Sequence, residues 1–534
     1  VKSLTGTVVM TRLALRRDRV MLAGWLYALT AVAYVSVVST KKLYPTERSR
    51  LAFAIGAGRD STTVALYGPA RDLHTLGGLA TWKMSALGAV GVAVLSLLVV
   101  VRHTRGDEQA GRLELVSAGV LGRRAALTAG LLAALTANVL VAVLVTAGLV
   151  VGGLPGTNSL AFGLGLAAVG CMFAVVAAIT AQLAQDSRTA SGIALGVLAV
   201  AYLLRGIGDT ARAATATASL SWASPIGWTQ QVRPFGPVHW WVFAIPVVFA
   251  VAGTAAAVAL AGRRDIGAGL LPARPGPAGA GPWLRGPCTL AWRLQRGPLL
   301  AWTAGFLVYG AALGGIADGV GALVGQGATA RDLFAELGGH SGLINAFLAA
   351  TMGIMGLIAS AYAVQAVARM RAEELGQRAD PVLAAAVGRS RWAFSHLLFA
   401  LAGPAVLLAA TGVAAGLTHG ARTGDIAGQL PRVLGAALVQ LPAAWVLAGL
   451  TLALVGILPR LAAVSWAAIV ASVLLGELGP VLGLTQWAMD ISPFAHLPKL
   501  PGAAFTVLPL AWLTVVAAAL ACVGLIGLRR RDIG

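Results

Sequence analysis

Apolar runs of about 20 residues recur along the whole of this chain, the length a helix needs to cross the hydrocarbon of a bilayer. They lie at approximately 20–38, 82–101, 125–151, 160–184, 190–206, 239–261, 299–317, 344–367, 393–417, 432–457, 462–484 and 505–527. Backbone inside hydrocarbon must satisfy its own hydrogen bonds, which leaves helices or closed barrels. Barrel strands would read as weaker segments of about 10 alternating residues, and these runs do not alternate. The reading is an all-α polytopic membrane protein with about twelve transmembrane helices. A mean hydropathy of +0.81, with 58% hydrophobic and only 11% charged residues, excludes a soluble organisation.

In such a chain the net charge of +20 reports orientation first and does not imply a nucleic-acid partner. With the N-terminus cytoplasmic, the inside segments 1–19, 102–124, 185–189, 262–298, 368–391, 458–461 and 528–534 hold 26 of the 40 Lys and Arg. The expected placement is the cell membrane, multi-pass, with both termini cytoplasmic. The long first loop, residues 39–81, carries much of the opposing charge, and long loops translocate with little regard to charge. The first run has a spanning helix's length and no clear cleavage site, so a cleavable signal is not expected. Cys171 and Cys522 lie in apolar spans and Cys288 in the central segment, which speaks against a disulfide framework or metal site.

The chain is duplicated. R-G-D-E-Q-A-G-R-L-E-L-V-S-A-G-V-L-G-R, Arg105 to Arg123, returns without a gap as R-A-E-E-L-G-Q-R-A-D-P-V-L-A-A-A-V-G-R, Arg371 to Arg389, at an offset of 266. Asp107 and Glu108 match Glu373 and Glu374, Arg112 matches Arg378, Glu114 matches Asp380, and Gly122-Arg123 matches Gly388-Arg389. R-R-D-I-G at Arg263–Gly267 returns as Arg530–Gly534, Gly208-Asp209 as Gly476-Glu477, and Ser224-Pro225 as Ser492-Pro493. Six spans per half is an even number, so the halves form a parallel repeat. The division is 1–267 for the first half, a Pro/Gly-rich cytosolic linker at 268–290, and 291–534 for the second half. Residues 8–19 and 287–298 mix Leu or Trp with Arg. They read equally well as interfacial helices lying flat and as basic topology anchors.

Each repeated loop, 102–124 and 368–391, reads as a helical extension, a break and a short transverse helix. In the second copy Asp380 suits an N-cap, Pro381 the first turn and Gly388 the C-terminal cap. In the first copy the helix would run from Glu114 to Gly122, with Gly111 permitting the bend. One reading is a docking surface for a partner. The other is a solvated loop with internal ion pairs such as Glu108–Arg112. Basic residues follow from an inside location, but three acids per copy do not, because Asp and Glu contribute little to topology. Docking is therefore the favoured reading.

The acidic pair followed by G-R-L-E and then G-R, between spans two and three, resembles the coupling segment of type-2 ABC exporter permeases. The run A-G-R-R-D-I-G-A-G-L-L-P-A-R-P-G-P after span six is similar to the fused twelve-span actinobacterial permeases described as polyketide-antibiotic exporters of the tetronasin type. The resemblance covers essentially the whole chain. It is looser in the second half, where Gly111 becomes Gln377, Leu113 becomes Ala379 and Leu115 becomes Pro381. It implies an ATP-driven exporter of a hydrophobic or amphipathic compound, whether antibiotic, drug or polyketide. Power would come from two copies of a separately encoded ATP-binding subunit, with ATP and Mg on those subunits. The implied coupling residues are Arg105, Asp107, Glu108, Gly111, Arg112, Glu114, Gly122, Arg123, Arg371, Glu373, Glu374, Arg378, Asp380, Gly388 and Arg389.

The residues agree that this chain lacks its own ATP site. A P-loop needs Gly-Lys-Ser/Thr, and none of Lys2, Lys41, Lys42, Lys83 and Lys499 follows a glycine. The chain is expected to be a permease subunit and not an enzyme, with no cofactor of its own. The alternative is an ion-driven secondary multidrug transporter of major-facilitator type. That family's loop has a different order of charges, and proton coupling normally uses acids inside the spans, which are almost absent here. A scaffold or lipid-processing enzyme has no catalytic cluster to support it. Asp209 and Glu477, matched across the halves near span ends, are a possible outer gate; charged caps at the membrane surface are the favoured account. Trp222, Trp228, Trp240 and Trp241 read as an interfacial aromatic belt.

Overall fold

The computed structural model describes residues 3–59, 61–117, 121–210, 216–265, 267–271, 279–317, 339–385, 387–476 and 485–531. Among these residues the secondary structure is helical, with no strand. Eleven of the helices are long and apolar enough to cross a membrane. The chain is an all-α, multi-pass membrane protein. It divides into two compact units, and the division falls within residues 272–278.

In the first unit the spanning helices are α1 (Thr7–Leu43), α4 (Leu76–Val101), α7 (Ala125–Val151), α8 (Gly156–Leu183), α9 (Ser187–Thr210) and α11 (Ala244–Ala261). Helix α8 is the central one, packed against α4, α7, α9 and α11. Its face is largely Ala and Gly, which lets neighbouring backbones approach where hydrocarbon offers no hydrophobic drive. Asn138 on α7 exchanges hydrogen bonds with Ser96 on α4 at 2.9 and 3.2 Å, satisfying a polar pair deep in the packing. The long first loop is folded. Helices α2 (Glu47–Arg59) and α3 (Ser61–Tyr67) carry Phe53 and Tyr67 onto Trp82, with ring centroids 5.9 and 5.5 Å away. Helix α10 (Pro225–Gln231) lies between α9 and α11 in sequence.

The second unit has α12 (Pro287–Ala317), α13 (Gly339–Leu375), α15 (Arg389–Thr423), α16 (Ile426–Leu438), α17 (Leu441–Ile457), α18 (Val464–Gly476) and α19 (Val507–Arg530), with the short α14 (Asp380–Ala384) between α13 and α15. The expected span at 432–457 is broken into α16 and α17 at Val439–Gln440, just before Pro442, whose ring cannot continue a helix from its amino side. The expected span at 462–484 is represented by the 13 residues of α18; residues 477–484 lie outside the described set.

Residues 8–19 and 287–298 do not form separate flat helices. They are the first turns of α1 and α12, of 37 and 31 residues. Thr7 to Ala23 contains neither Gly nor Pro, so nothing interrupts the helix there. At about 1.5 Å per residue α1 is some 55 Å long, against about 30 Å of hydrocarbon, so its basic end projects beyond the apolar layer.

Helices α17 and α19 meet through Gly449, Gly456, Gly524 and Gly527. A Cβ on Gly524 would lie 2.5 Å from the carbonyl carbon of Leu452 and 2.7 Å from the amide nitrogen of Ala453, both backbone atoms. Gly524→Leu is therefore expected to lower stability by about 1–3 kcal/mol through overpacking. Thermal unfolding of the detergent-solubilised protein would read this as a lower midpoint.

Candidate functional site

The first repeated loop begins where α4 ends. After Val101 the helix widens into one π turn, Arg102–Gly106, continues through Asp107–Gln109 (α5), and stops at Ala110–Gly111. Gly111 has φ +69°, which reverses the chain at no steric cost. Helix α6 follows at Arg112–Ser117, starting two residues earlier than the sequence suggests. π turns alter the facing of a helix and concentrate at functional sites. This one buries His103, Arg105, Asp107 and Glu108.

The acidic pair points into its own unit. Asp107 accepts from Arg17 of α1 at 2.9 Å and from Arg112 at 3.0 Å, with His103 Nδ1 at 3.5 Å. Glu108 accepts from Arg264 at 2.7 and 3.0 Å, from Arg105 at 3.2 Å and from the Gly267 amide at 2.5 Å. Arg105 also donates to the carbonyls of Ala181 (2.5 Å) and Ala268 (2.6 Å). Asp18 holds Arg102 at 2.8 Å and His103 at 2.6 Å. The suggested Glu108–Arg112 pair is thus replaced by Asp107–Arg112. Glu108 is turned instead towards Arg264, 156 residues away in sequence.

The far end of the loop is tied down as well. Arg123 donates to the carbonyls of Gly262 (3.4 Å) and Arg264 (3.2 Å). The Gly122 and Arg124 amides donate to Thr5 and Ser3 carbonyls, both at 3.0 Å. The expected helix end near Gly122 falls on residues 118–120, which lie outside the described set. Gly122 itself meets the backbone of Ser3 and Leu4. It is needed because a Cβ there would lie 2.8 Å from the Leu4 amide nitrogen. Nearby, Gln109 accepts from Ser187 at 2.8 Å. Burial pushes the Asp186 carboxyl up, but hydrogen bonds from Thr189 outweigh it and hold the group below the usual carboxylate range.

The second loop repeats this plan without the π turn. Helix α13 runs on through Arg371, Glu373 and Glu374 to Leu375. The reversal falls at Gly376–Gln377, where Gln377 takes φ +53° in the place of Gly111. Glu373 accepts from Arg378 at 3.2 Å, with Arg369 at 3.7 Å. Glu374 accepts from Arg371 at 2.8 Å and from Arg531 at 2.5 Å. Arg389 donates to the carbonyls of Arg529 (3.4 Å) and Arg531 (2.7 Å). Helix α14 covers only Asp380–Ala384, so it ends before Gly388, which instead precedes the first residue of α15. Ala379 takes the N-cap position, and Asp380 is the exposed first residue of α14.

Both copies therefore spend their second acid on the arginine that follows the last span of the same unit. That arginine belongs to the repeated R-R-D-I-G. The repeat was legible in sequence as a sign of duplication, but the role of Arg264 and Arg531 was not, nor that of Arg17, Asp18 and His103. Exposed at the surface are, among others, Gln109, Arg112 and Glu114 in the first loop and Arg378, Asp380 and Pro381 in the second.

Asp209 sits at the end of α9 in a buried cluster. It accepts from Arg205 at 3.2 Å and from Ser221 at 2.8 Å, while Arg205 reaches the Ala65 and Leu66 carbonyls at 2.5 and 3.1 Å. Neither side chain of the ion pair is more than 2% exposed. Glu477 lies outside the described residues. Asp209→Ala is expected to cost about 3–5 kcal/mol by leaving Arg205 buried and unpaired, and Arg205→Met with Asp209→Leu to recover most of it. Thermal unfolding of the three variants checks this; a gate residue would instead change transport at unaltered stability. Trp222 and Trp241 stack at 6.2 Å and, with Trp240, are exposed, whereas Trp228 packs against Phe249 with ring centroids 5.8 Å apart.

Comparison with known proteins bears on both units. Residues 284–529 match the family described as multidrug efflux system permease Rv1217c, C-terminal domain. Over 530 residues the chain is 42% identical to the multidrug efflux system permease protein Rv1217c of Mycobacterium tuberculosis, covering 99% of this chain and 95% of that protein.

Proposed function

Because the chain belongs to the family of the multidrug efflux permease Rv1217c, we propose that it is the transmembrane subunit of an ATP-driven exporter. Its cargo is a hydrophobic or amphipathic compound, of antibiotic, drug or polyketide type, moved out of the cytoplasm. Two copies of a separately encoded ABC ATP-binding subunit, carrying the ATP and Mg, dock on loops 102–124 and 368–391. The observation that carries the reading is the pair of like-built loops. Each ends a spanning helix, reverses, and presents a short helix with exposed charges at Arg112 and Glu114 or Arg378 and Asp380.

Several features support it. Ser3 and Thr5 lie against residues 122–124, and Arg531 lies against Glu374, so each terminus accompanies its loop on what we take as the cytoplasmic side. Asp209, the acid near the far end of α9, is committed to an arginine, which disfavours the ion-driven alternative. Within the second unit an apolar recess of about 360 Å³ is lined by Trp302, Phe306, Tyr309 and Met355, and suits a hydrophobic guest. In the proposed cycle ATP binding draws the partner subunits together, displaces both loops and opens the pathway outward.

The test is uptake of a hydrophobic fluorescent compound by inside-out membrane vesicles. The reading requires uptake driven by ATP, blocked by vanadate and insensitive to collapse of the proton gradient. Uptake that follows the proton gradient without ATP would establish the secondary-transport alternative.

A further inference from the structure

Loop displacement reaches α4 and α13 through the continuous backbone, because each loop is the prolongation of that helix. The last helix of each unit has no such connection. Among the described residues, Glu108 and Arg264 are 156 residues apart, and Glu374 and Arg531 are 157 apart. In each unit the arginine after the last span is gripped twice. Its guanidinium is held by a glutamate of the loop, and its own carbonyl accepts from the arginine at the loop's far end, Arg123 or Arg389. We propose that these two clasps, Glu108–Arg264–Arg123 and Glu374–Arg531–Arg389, carry movement of the ATPase-docking loops to the ends of α11 and α19, making Arg264 and Arg531 positioning residues for transport.

The proposal rests on the ATP-driven reading and adds a route within it. A buried ion pair is a poor device for stability, since apolar packing of the same volume does as well or better. Its physical merit is direction. Charge-assisted bonds of 2.5–3.0 Å, through both terminal nitrogens at Arg264 and one at Arg531, fix a geometry and resist sliding. The surroundings of the two clasps have diverged. The first has a π turn, an Asp107–Arg17 tie to α1, and Arg105 bonded to Ala181 and Ala268. The second has a plain helix and a partly exposed Arg371. The glutamate, the gripped arginine and the arginine on its carbonyl recur in both, in matching register. The first clasp is the stiffer. Glu108's partners are 1% and 12% exposed, against 27% and 17% for those of Glu374.

The experiment uses the full chain co-purified with its ATP-binding subunit and reconstituted in liposomes, reading bound ATPase, ATP hydrolysis and dye moved per ATP hydrolysed. Arg264→Gln with Arg531→Gln is expected to keep the ATPase bound while dye moved per ATP falls about tenfold or more, within the range of coupling free energies between sites. Arg264→Lys with Arg531→Lys should recover much of that ratio, and Arg264→Gln alone should cost more than Arg531→Gln. In the more accessible second clasp, Glu374→Lys and Arg531→Glu should each lower the ratio, and the two together should restore it. A wild-type ratio in the double Gln variant with ATPase bound overturns the proposal. So does a loss that tracks thermal unfolding and is not relieved by the charge swap. Absence of any bound ATPase from the wild-type protein would instead overturn the ATP-driven reading itself.

Discussion

Reversing the two exposed acids together, Glu114→Lys with Asp380→Lys, is expected to lower ATP-driven export about tenfold or more, while the protein inserts and folds as before. These residues match across the repeat, Glu114 as the third residue of α6 and Asp380 as the first of α14, and both are exposed. Surface substitutions of this kind usually change stability by no more than about 0.5 kcal/mol. A docking face is more sensitive, since opposing like charges at an interface cost affinity and slow association. Vesicle transport, read beside the thermal midpoint, separates the two effects. The single reversals are expected to be unequal, with Glu114→Lys the more harmful, because the first loop is anchored by the more buried network.

Reversal of the buried acids behaves differently. Glu108→Lys places a third cation beside Arg105 and Arg264, and about 3–5 kcal/mol of stability should be lost by breaking that buried set. Low yield and a lower unfolding midpoint are the expected readouts, with transport lost as a consequence. Glu374→Lys faces partners that are more exposed and better screened, so its midpoint should fall less. Equal, negligible shifts for both would show that the first network does not anchor its loop. The acids most prominent in the sequence are therefore the wrong ones to reverse as a test of docking. Glu114 and Asp380 are the informative pair.

The difference between the two sets shows what a sequence carries and what it does not. The spans were legible because a bilayer demands about 20 apolar residues, a local and periodic requirement. The break before Pro442 was written in the sequence, yet an apolar run of sufficient length concealed it. Of the two equal readings of residues 8–19 and 287–298, the flat helix gives way, because amphipathic composition alone does not bend a chain. The segment from Thr7 to Val20 has no Gly or Pro to turn it, and Arg17 and Asp18 are committed to the loop. The second short helix was overextended because Gly388 was read as its cap, whereas it precedes the next span. Gly122 is required by the backbone of Ser3–Leu4 crossing it, a tertiary contact. The loop's charges were legible as a constellation, but their direction was not. Whether a carboxylate faces solvent or an arginine 156 residues away depends on how α11 returns to the loop. The one available hint was that the loop and R-R-D-I-G recur at nearly the same offset.

The most direct test of the central claim is co-purification of the full-length permease from its native membrane, with mass spectrometry of the stoichiometric components. The account predicts two copies of a P-loop ATPase per chain, retained by the wild type and lost from Glu114→Lys with Asp380→Lys at unchanged folding. A folded, transport-competent wild-type protein with no ATPase bound would contradict it.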